Sequence, residues 1–223
     1  MTPGGMAPEM RESTSESTAG ASGDRPLGAF VPPQHRRPTQ AVTRRCHLTD
    51  GTEVLVRSIR RTDRSSCSTM LTACSEESLY SRYERVVTES PDALAADLCC
   101  PDLQCERTLV GEIFEGPFPT IIGIAQLITD PTHTTAEYAV LVADPWQNKG
   151  LGGAFTDICL ELADAWGVPR VVAEFLPSNM RMIRILSKRR FDLSRDFQEN
   201  VVSGEKLIKG NEEEMTAASC SVS

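Results

Sequence analysis

Two features of this 223-residue chain could do chemistry, and they lie close together. Glu137 opens an apolar run, Glu137-Tyr138-Ala139-Val140-Leu141-Val142. The run passes through Asp144-Pro145-Trp146 into Gln147-Asn148-Lys149-Gly150-Leu151-Gly152-Gly153. A carboxylate on a strand bordering a partly desolvated cleft can have a raised pKa and take a proton, directly or through water. Its ordinary alternative is a solvent-facing strand glutamate or an ion-pair partner. The glycines stand where a strand gives way to a helix, and they let the backbone turn sharply and bring its amides near a ligand. The first N–H groups of a helix, at the positive end of its dipole, attract anions such as a pyrophosphate. The loop is not a P-loop, because no Gly-Lys-Ser/Thr ends it, and it is not GxGxxG. Spacing alone also fits a strand-to-helix turn with no ligand.

The elements around this stretch are readable from periodicity. Phe155, Ile158, Cys159, Leu162, Ala163 and Trp166 recur at helical spacing, with Gly167 as a C-cap. Upstream, Asp50-Gly51 marks a turn and residues 52–57 alternate as a first strand. Thr62-Asp63 offers an N-cap for a helix carrying Met70 and Leu71, Ser75 starts a second helix through Leu79, Tyr80 and Tyr83, and Ser90-Pro91 starts a third. The spacing of Tyr80 and Tyr83 predicts core packing for both. Residues 107–114 and 120–128 form a hairpin, 137–142 a central strand and 170–175 its parallel neighbour. Ser178 or Asn179 caps a helix through Met182, Ile185 and Leu186. Residues 191–193 and 200–208 close the fold as short strands.

Composition narrows the function classes. The formal net charge is −8, which argues against broad nucleic-acid binding. No apolar run has the length of a membrane span and the N-terminus lacks a signal-peptide apolar region, so a cytoplasmic protein with no membrane partner is expected. The eight cysteines are then expected to be reduced, and Cys99, Cys100 and Cys105 lack convincing zinc spacing, so no metal is expected. Residues 1–45 are polar and rich in Ser, Thr, Gly and Pro, and 210–223 are acidic and then small; both are expected to be disordered tails around a domain at 46–209.

Gln147-x-x-Gly150-x-Gly152 resembles the acyl-CoA loop of the GNAT superfamily of N-acetyltransferases. The central strand at 137–142, the segment Asn179-Met180-Arg181-Met182 and Phe191 extend the match. Asp50-Gly51-Thr52, Arg57-Ser58-Ile59 and Ser78-Leu79-Tyr80-Ser81-Arg82-Tyr83 resemble the catalytic domain of bacterial protein-lysine acetyltransferases that modify acyl-CoA synthetases. The resemblance implies an α/β (α+β) fold: a mixed, mostly antiparallel sheet whose central parallel strands splay apart, flanked by helices. Acetyl-CoA would lie in the gap as co-substrate. The backbone of Leu141, Val142 and Ala143 would face its thioester. Gln147, Asn148, Lys149, Gly150, Leu151, Gly152 and Gly153 would hold the pyrophosphate, and Asn179 and Met182 would border the pantetheine arm. Asn179 serves equally as a helix cap.

Lysine has a pKa of about 10.4 in water, so an amine acceptor must lose a proton before it attacks. The resemblance gives that task to Glu137, with Glu112 and Glu174 as rivals on flanking strands. The family's usual tyrosine acid is missing, since Leu186 fills its slot, and Arg190 replaces the usual glycine before Phe191. The expected substrate is a lysine of a protein, such as an acyl-CoA synthetase. The alternatives are a small amine, amino acid or antibiotic, and a non-catalytic acyl-CoA-binding module. The chain is expected to act as a monomer or homodimer, and the residues ahead of the fold are not expected to form a regulatory domain.

Overall fold

A computed structural model describes residues 41–208. The strands are β1 (Thr43–His47), β2 (Glu53–Ser58), β3 (Glu106–Ile113), β4 (Thr120–Thr129), β5 (Ala136–Val142), β6 (Arg170–Phe175), β7 (Asp192–Asp196) and β8 (Val201–Leu207). The helices are α1 (Arg64–Thr72), α2 (Glu76–Tyr83), α3 (Pro91–Leu98), α4 (Leu151–Trp166) and α5 (Met180–Lys188). The strands form one sheet in the order β1-β2-β3-β4-β5-β6-β8-β7, antiparallel throughout except for β5 beside β6. This is the mixed α/β architecture expected. No described helix is long and apolar enough to cross a membrane.

The sheet is buried on both faces. One core holds α4 and part of α5 against Leu127, Tyr138, Ala173 and Phe175. The other holds α1 and α3 against Val110, Ile121, Ile124 and Leu141. Strand β4 therefore reads as an almost continuous apolar run rather than an alternating one. The α4 stripe from Phe155 to Trp166 is buried as its spacing predicts, and burying side chains such as Phe155 and Leu162 stabilises the fold by about 2 kcal/mol each.

Gly111 and Gly123 pair across β3 and β4, under the first turns of α4. A Cβ on either would meet the Phe155 ring at 3.1 Å. Their bare surface lets α4 begin close to the sheet. The register slips by one residue just beyond them, between Gly111 and Glu112, as a β-bulge.

Several boundaries differ from expectation. β1 begins at Thr43, ahead of the expected domain start at Cys46, because Thr43 to His47 pairs with β2 throughout. Apart from that stretch, the tails expected to be disordered lie essentially outside the described residues. Asp63 does not cap α1 with its side chain; Arg57 claims that carboxylate. Tyr80 is exposed rather than core, while Tyr83 packs against the second core. Ser75, Ser90 and Asn179 do cap their helices. Arg190 adopts φ +57°, the left-handed conformation that would favour the glycine it replaces. The described cysteines are free thiols, and Cys220 lies outside the described residues.

Candidate active site

The sheet opens where β5 and β6 part. Their parallel pairing consists of Ala136 with Val171 and Glu137 with Val172. Beyond Glu137, β5 continues to Val142 beside β4, with no β6 partner. The Ala143 N–H is bonded to Ile122 O at 3.0 Å. Strand alternation gives Leu141 the same direction and turns the backbone of Val140 and Val142 toward the gap. The open backbone groups are thus those of Val140 and the N–H of Val142, whose carbonyl accepts from the Gln147 side chain. Within the expected Leu141–Ala143 stretch, the amides of Leu141 and Ala143 face β4.

A cleft of about 380 Å³ follows this gap. Leu141, Val142, Gln147, Asn148, Gly150 and Leu151 line it, as do Gly152, Gly153, Asn179 and Met182. Gly150 sits at φ +100°, where a side chain would be strained. The first intrahelical bond of α4 runs from Ala154 N–H to Gly150 O. The N–H groups of Leu151, Gly152 and Gly153 stand ahead of it with no intrahelical acceptor. The turn is held from behind: the Tyr138 hydroxyl lies 3.0 Å from Thr156 Oγ1, which donates to Gly152 O at 2.8 Å. Arg189 donates to Gly153 O at 2.7 Å and pairs with Asp157 at 2.6 Å, tying α5 to α4. A Cβ on Gly153 would stand 2.7 Å from that guanidinium.

Three expected residues do other work. Lys149 does not line the cleft; its ammonium lies 3.0 Å from Asp50 and 4.4 Å from the Trp146 ring centroid. That hydrogen bond holds the exposed Asp50 carboxyl down at about 2. Gln147 lines the cleft, but its side chain donates to Ser78 Oγ at 2.9 Å, Val142 O at 3.0 Å and Asp144 Oδ1 at 3.1 Å. Asn179 Oδ1 accepts from Met182 N–H at 3.1 Å as an α5 cap.

Glu137 is exposed on β5 at the fork and lies outside the cleft lining. Strand alternation places Glu137 on the face of the sheet that carries Leu141 and α2. The Glu84 carboxyl, at the end of α2, is raised by burial and further by the negative charges of Glu174 and Glu137. The three carboxylates therefore share one neighbourhood. Arg82 enters it from α2, lines the cleft and donates to Gln126, which in turn donates to Glu106 at 2.8 Å. The rival Glu112 lies elsewhere, with both oxygens bonded to the buried Arg57.

The sequence reading missed the basic wall. Arg181, Arg184 and Lys188 from α5 line the cleft with Arg189. No ion pair links Arg181, Arg184 or Lys188 to another described residue. Their i, i+3, i+7 spacing on a helix facing a glycine loop was a readable signal for an anion. Leu186, in the slot of the missing tyrosine, is fully buried. Among the described residues no group of three or more His, Cys, Asp or Glu is placed to hold a metal ion.

A model of the Acetyltransferase (GNAT) family matches residues 75–191, more than half of the chain, and the chain belongs to that family. Its members are acetyltransferases, and this chain is an enzyme of that class. The fold is similar to that of the GNAT domain of S. lividans PAT, with 24% identity, a TM-score of 0.66, and coverage of 74% of this chain and 96% of that one. It is also similar to the spermidine N-acetyltransferase from Vibrio cholerae in complex with CoA and spermine, at 15% identity and a TM-score of 0.58, covering 70% and 95%. A cAMP-binding acyltransferase from Mycobacterium smegmatis is 20% identical with a TM-score of 0.51. That match covers 75% of this chain and 48% of the other, so this chain spans about half of that protein's length.

Proposed function

We propose that this protein transfers an acetyl group from acetyl-CoA to the side-chain amine of a protein lysine, with a metabolic acyl-CoA synthetase as the expected substrate. The observation that carries acyl-CoA binding is the unzipped β5–β6 pair opening onto a glycine-led helix entrance, with a row of cationic side chains opposite. The residues present fit such a donor. The N–H groups of Leu151 to Gly153 suit a pyrophosphate, and the exposed side chains of Arg181, Arg184 and Lys188 supply positive charge. The open backbone of Val140 and the Val142 N–H can pair with the amides of an extended pantetheine arm, as a strand would. A gap-facing N–H, such as that of Val142, is placed to stabilise an oxyanion.

The acceptor approaches from the fork, where Glu137 stands. In this mechanism Glu137 takes the ammonium proton, directly or through water. The amine attacks the thioester carbon, the tetrahedral adduct collapses with cleavage of the C–S bond, and the second proton of the nitrogen passes to the departing sulfur or to water, so that CoA leaves as thiol or thiolate. No described tyrosine stands in for a general acid at Leu186. A thiol is acidic enough, with a reference pKa of about 8.5 for cysteine, to leave without one. The protein-lysine reading draws support from the residue pattern of Asp50-Gly51-Thr52 and Ser78 to Tyr83, and from the architecture it shares with S. lividans PAT along nearly all of that domain.

One observation favours a second reading. Glu84, Glu137 and Glu174 gather negative charge at the fork, which suits a polyamine as well as a lysine. Turnover, followed by thiol release, is the test: one panel holds acyl-CoA synthetases, the other polyamines, amino acids and aminoglycosides. Turnover with a synthetase, mapped to one lysine, is expected. Efficient turnover of a small amine without it would replace the protein-lysine reading.

The basic wall makes its own prediction. Arg184→Ala with Lys188→Ala is expected to raise the KM for acetyl-CoA by about 5- to 30-fold at low salt, with kcat changed little. The defect should shrink as salt rises toward about 0.5 M, because exposed charges are screened within a few ångströms there. A KM equal to wild type at low salt would remove these residues from the donor site.

A further inference from the structure

Helix α2 forms one wall of the cleft through Glu77, Ser78, Ser81 and Arg82, yet none of its residues is fully buried. Eight residues are too few for a helix to hold itself in water. Leu79 and Tyr83 pack only partly against the second core. The N-terminal end of α2 is instead fastened to the loop that follows β5. Asp144 Oδ2 accepts from Ser75 N–H at 3.2 Å, and Asp144 Oδ1 accepts from the Ser78 hydroxyl at 2.7 Å. Gln147 Nε2 closes the set on Ser78 Oγ and Asp144 Oδ1. A carboxylate at the start of a helix is also favoured by the helix dipole. Hydrogen bonds from Ser78 and Ser75 hold the Asp144 carboxyl below its ordinary value even though burial works against them.

The same loop then turns through left-handed Asn148 and Gly150 into the exposed N–H groups of α4. Anything that fixes the glycine turn therefore also fixes the residues to which α2 is tied. We propose that Asp144 and Ser78 are positioning residues that couple donor binding at the glycine loop to the placement of α2, so that the acyl donor orders the wall carrying Ser81 and Arg82 before the acceptor enters. This rests on the acyl-CoA reading of the cleft but on no particular acceptor.

Amide hydrogen exchange of the full chain, with and without CoA, tests the coupling. In the wild type, CoA is expected to slow exchange both at 148–156 and at 76–83, the latter by about 5-fold or more, the lower end of ordinary coupling between sites. In Asp144→Ala the protection at 148–156 is expected to remain, while the CoA-dependent slowing at 76–83 falls below about 2-fold. Ser78→Ala should behave alike, and it keeps the proposal testable if the first variant folds poorly. Asp144→Asn, which retains one acceptor oxygen, should recover part of the effect. A latch that were only structural would speed exchange of α2 equally with and without CoA. That pattern, or CoA-dependent protection of α2 undiminished in the variants, would overturn the proposal. Absence of protection at 148–156 in the wild type would instead overturn both the donor reading and the coupling built on it.

Discussion

Glu137→Gln is expected to lower kcat by about 10²- to 10⁴-fold, the usual worth of a positioned general base, with the acetyl-CoA dissociation constant changed less than about threefold. Glutamine keeps the size and hydrogen-bonding shape of the side chain and removes its basicity. At pH 7 only about one lysine in 2,500 is unprotonated, given a pKa near 10.4. An enzyme without its base must wait for that fraction. The variant's kcat/KM should accordingly climb with pH up to the acceptor's own pKa, where the wild type levels off earlier. Glu174→Gln is the control: it sits on the neighbouring strand of the fork, touches Ser203 Oγ at 3.3 Å, and should cost less than about tenfold. Wild-type turnover in Glu137→Gln would remove Glu137 as the base and shift attention to Glu84 and Glu174.

Arg57→Ala is expected to destabilise the fold by about 3 to 5 kcal/mol, the cost of breaking a buried ion pair from one side. For a chain of this size that is a fall in Tm of roughly 6 to 20 °C. Arg57, Glu112 and Asp63 are 5%, 6% and 8% exposed. The guanidinium donates to both Glu112 oxygens at 2.9 and 3.0 Å and to both Asp63 oxygens at 2.7 and 2.9 Å. Without it two carboxylates stay buried with no countercharge. Burial alone would raise the Asp63 carboxyl, but hydrogen bonds from Arg57 and the Arg60 N–H outweigh it and leave the net shift downward from 3.8. A lowered folded pKa contributes stability that is present above the unfolded value and lost as pH falls through the folded one. The gap between wild type and variant should therefore be full above about pH 4 and narrow below it. Thermal unfolding from pH 3 to 8 measures both, and a Tm loss under about 2 °C at pH 7 would show that the triad contributes little.

The triad also shows why one rival carboxylate looked open in the sequence. Glu112 and Glu137 are both strand glutamates near the centre of the sheet, and nothing local separates them. Burial against Arg57, more than fifty residues earlier in the chain, does. Lys149 is a similar case: beside a glycine loop it reads as a phosphate contact, but the β1–β2 turn brings Asp50 to its ammonium. Gln147 belongs to the recognised loop motif, and its side chain is turned back onto Ser78 and Asp144. The basic row Arg181, Arg184 and Lys188 stands in the sequence at helical spacing, but a charged stripe most often faces solvent, and only the fold turns this one toward the glycine loop.

The sequence by itself determined what depends on local rules. The apolar period of α4, the serine caps of α2 and α3, Gly167 at a left-handed C-cap and the glycine entrance at Gly150 all follow from spacing and residue type, since helices and turns are set by neighbours a few positions apart. The order of elements follows from the same pattern, while the family rests on the resemblance carried by Gln147-x-x-Gly150-x-Gly152 and on the family match over residues 75–191. Tertiary structure decided which groups face one another. The β5–β6 pairing stops after Glu137, strand direction turns Val140 and Val142 rather than Leu141 and Ala143 into the gap, and α2 is fastened to the glycine loop through Asp144. Each of these depends on contacts between residues distant in sequence, and no period or propensity carries that information.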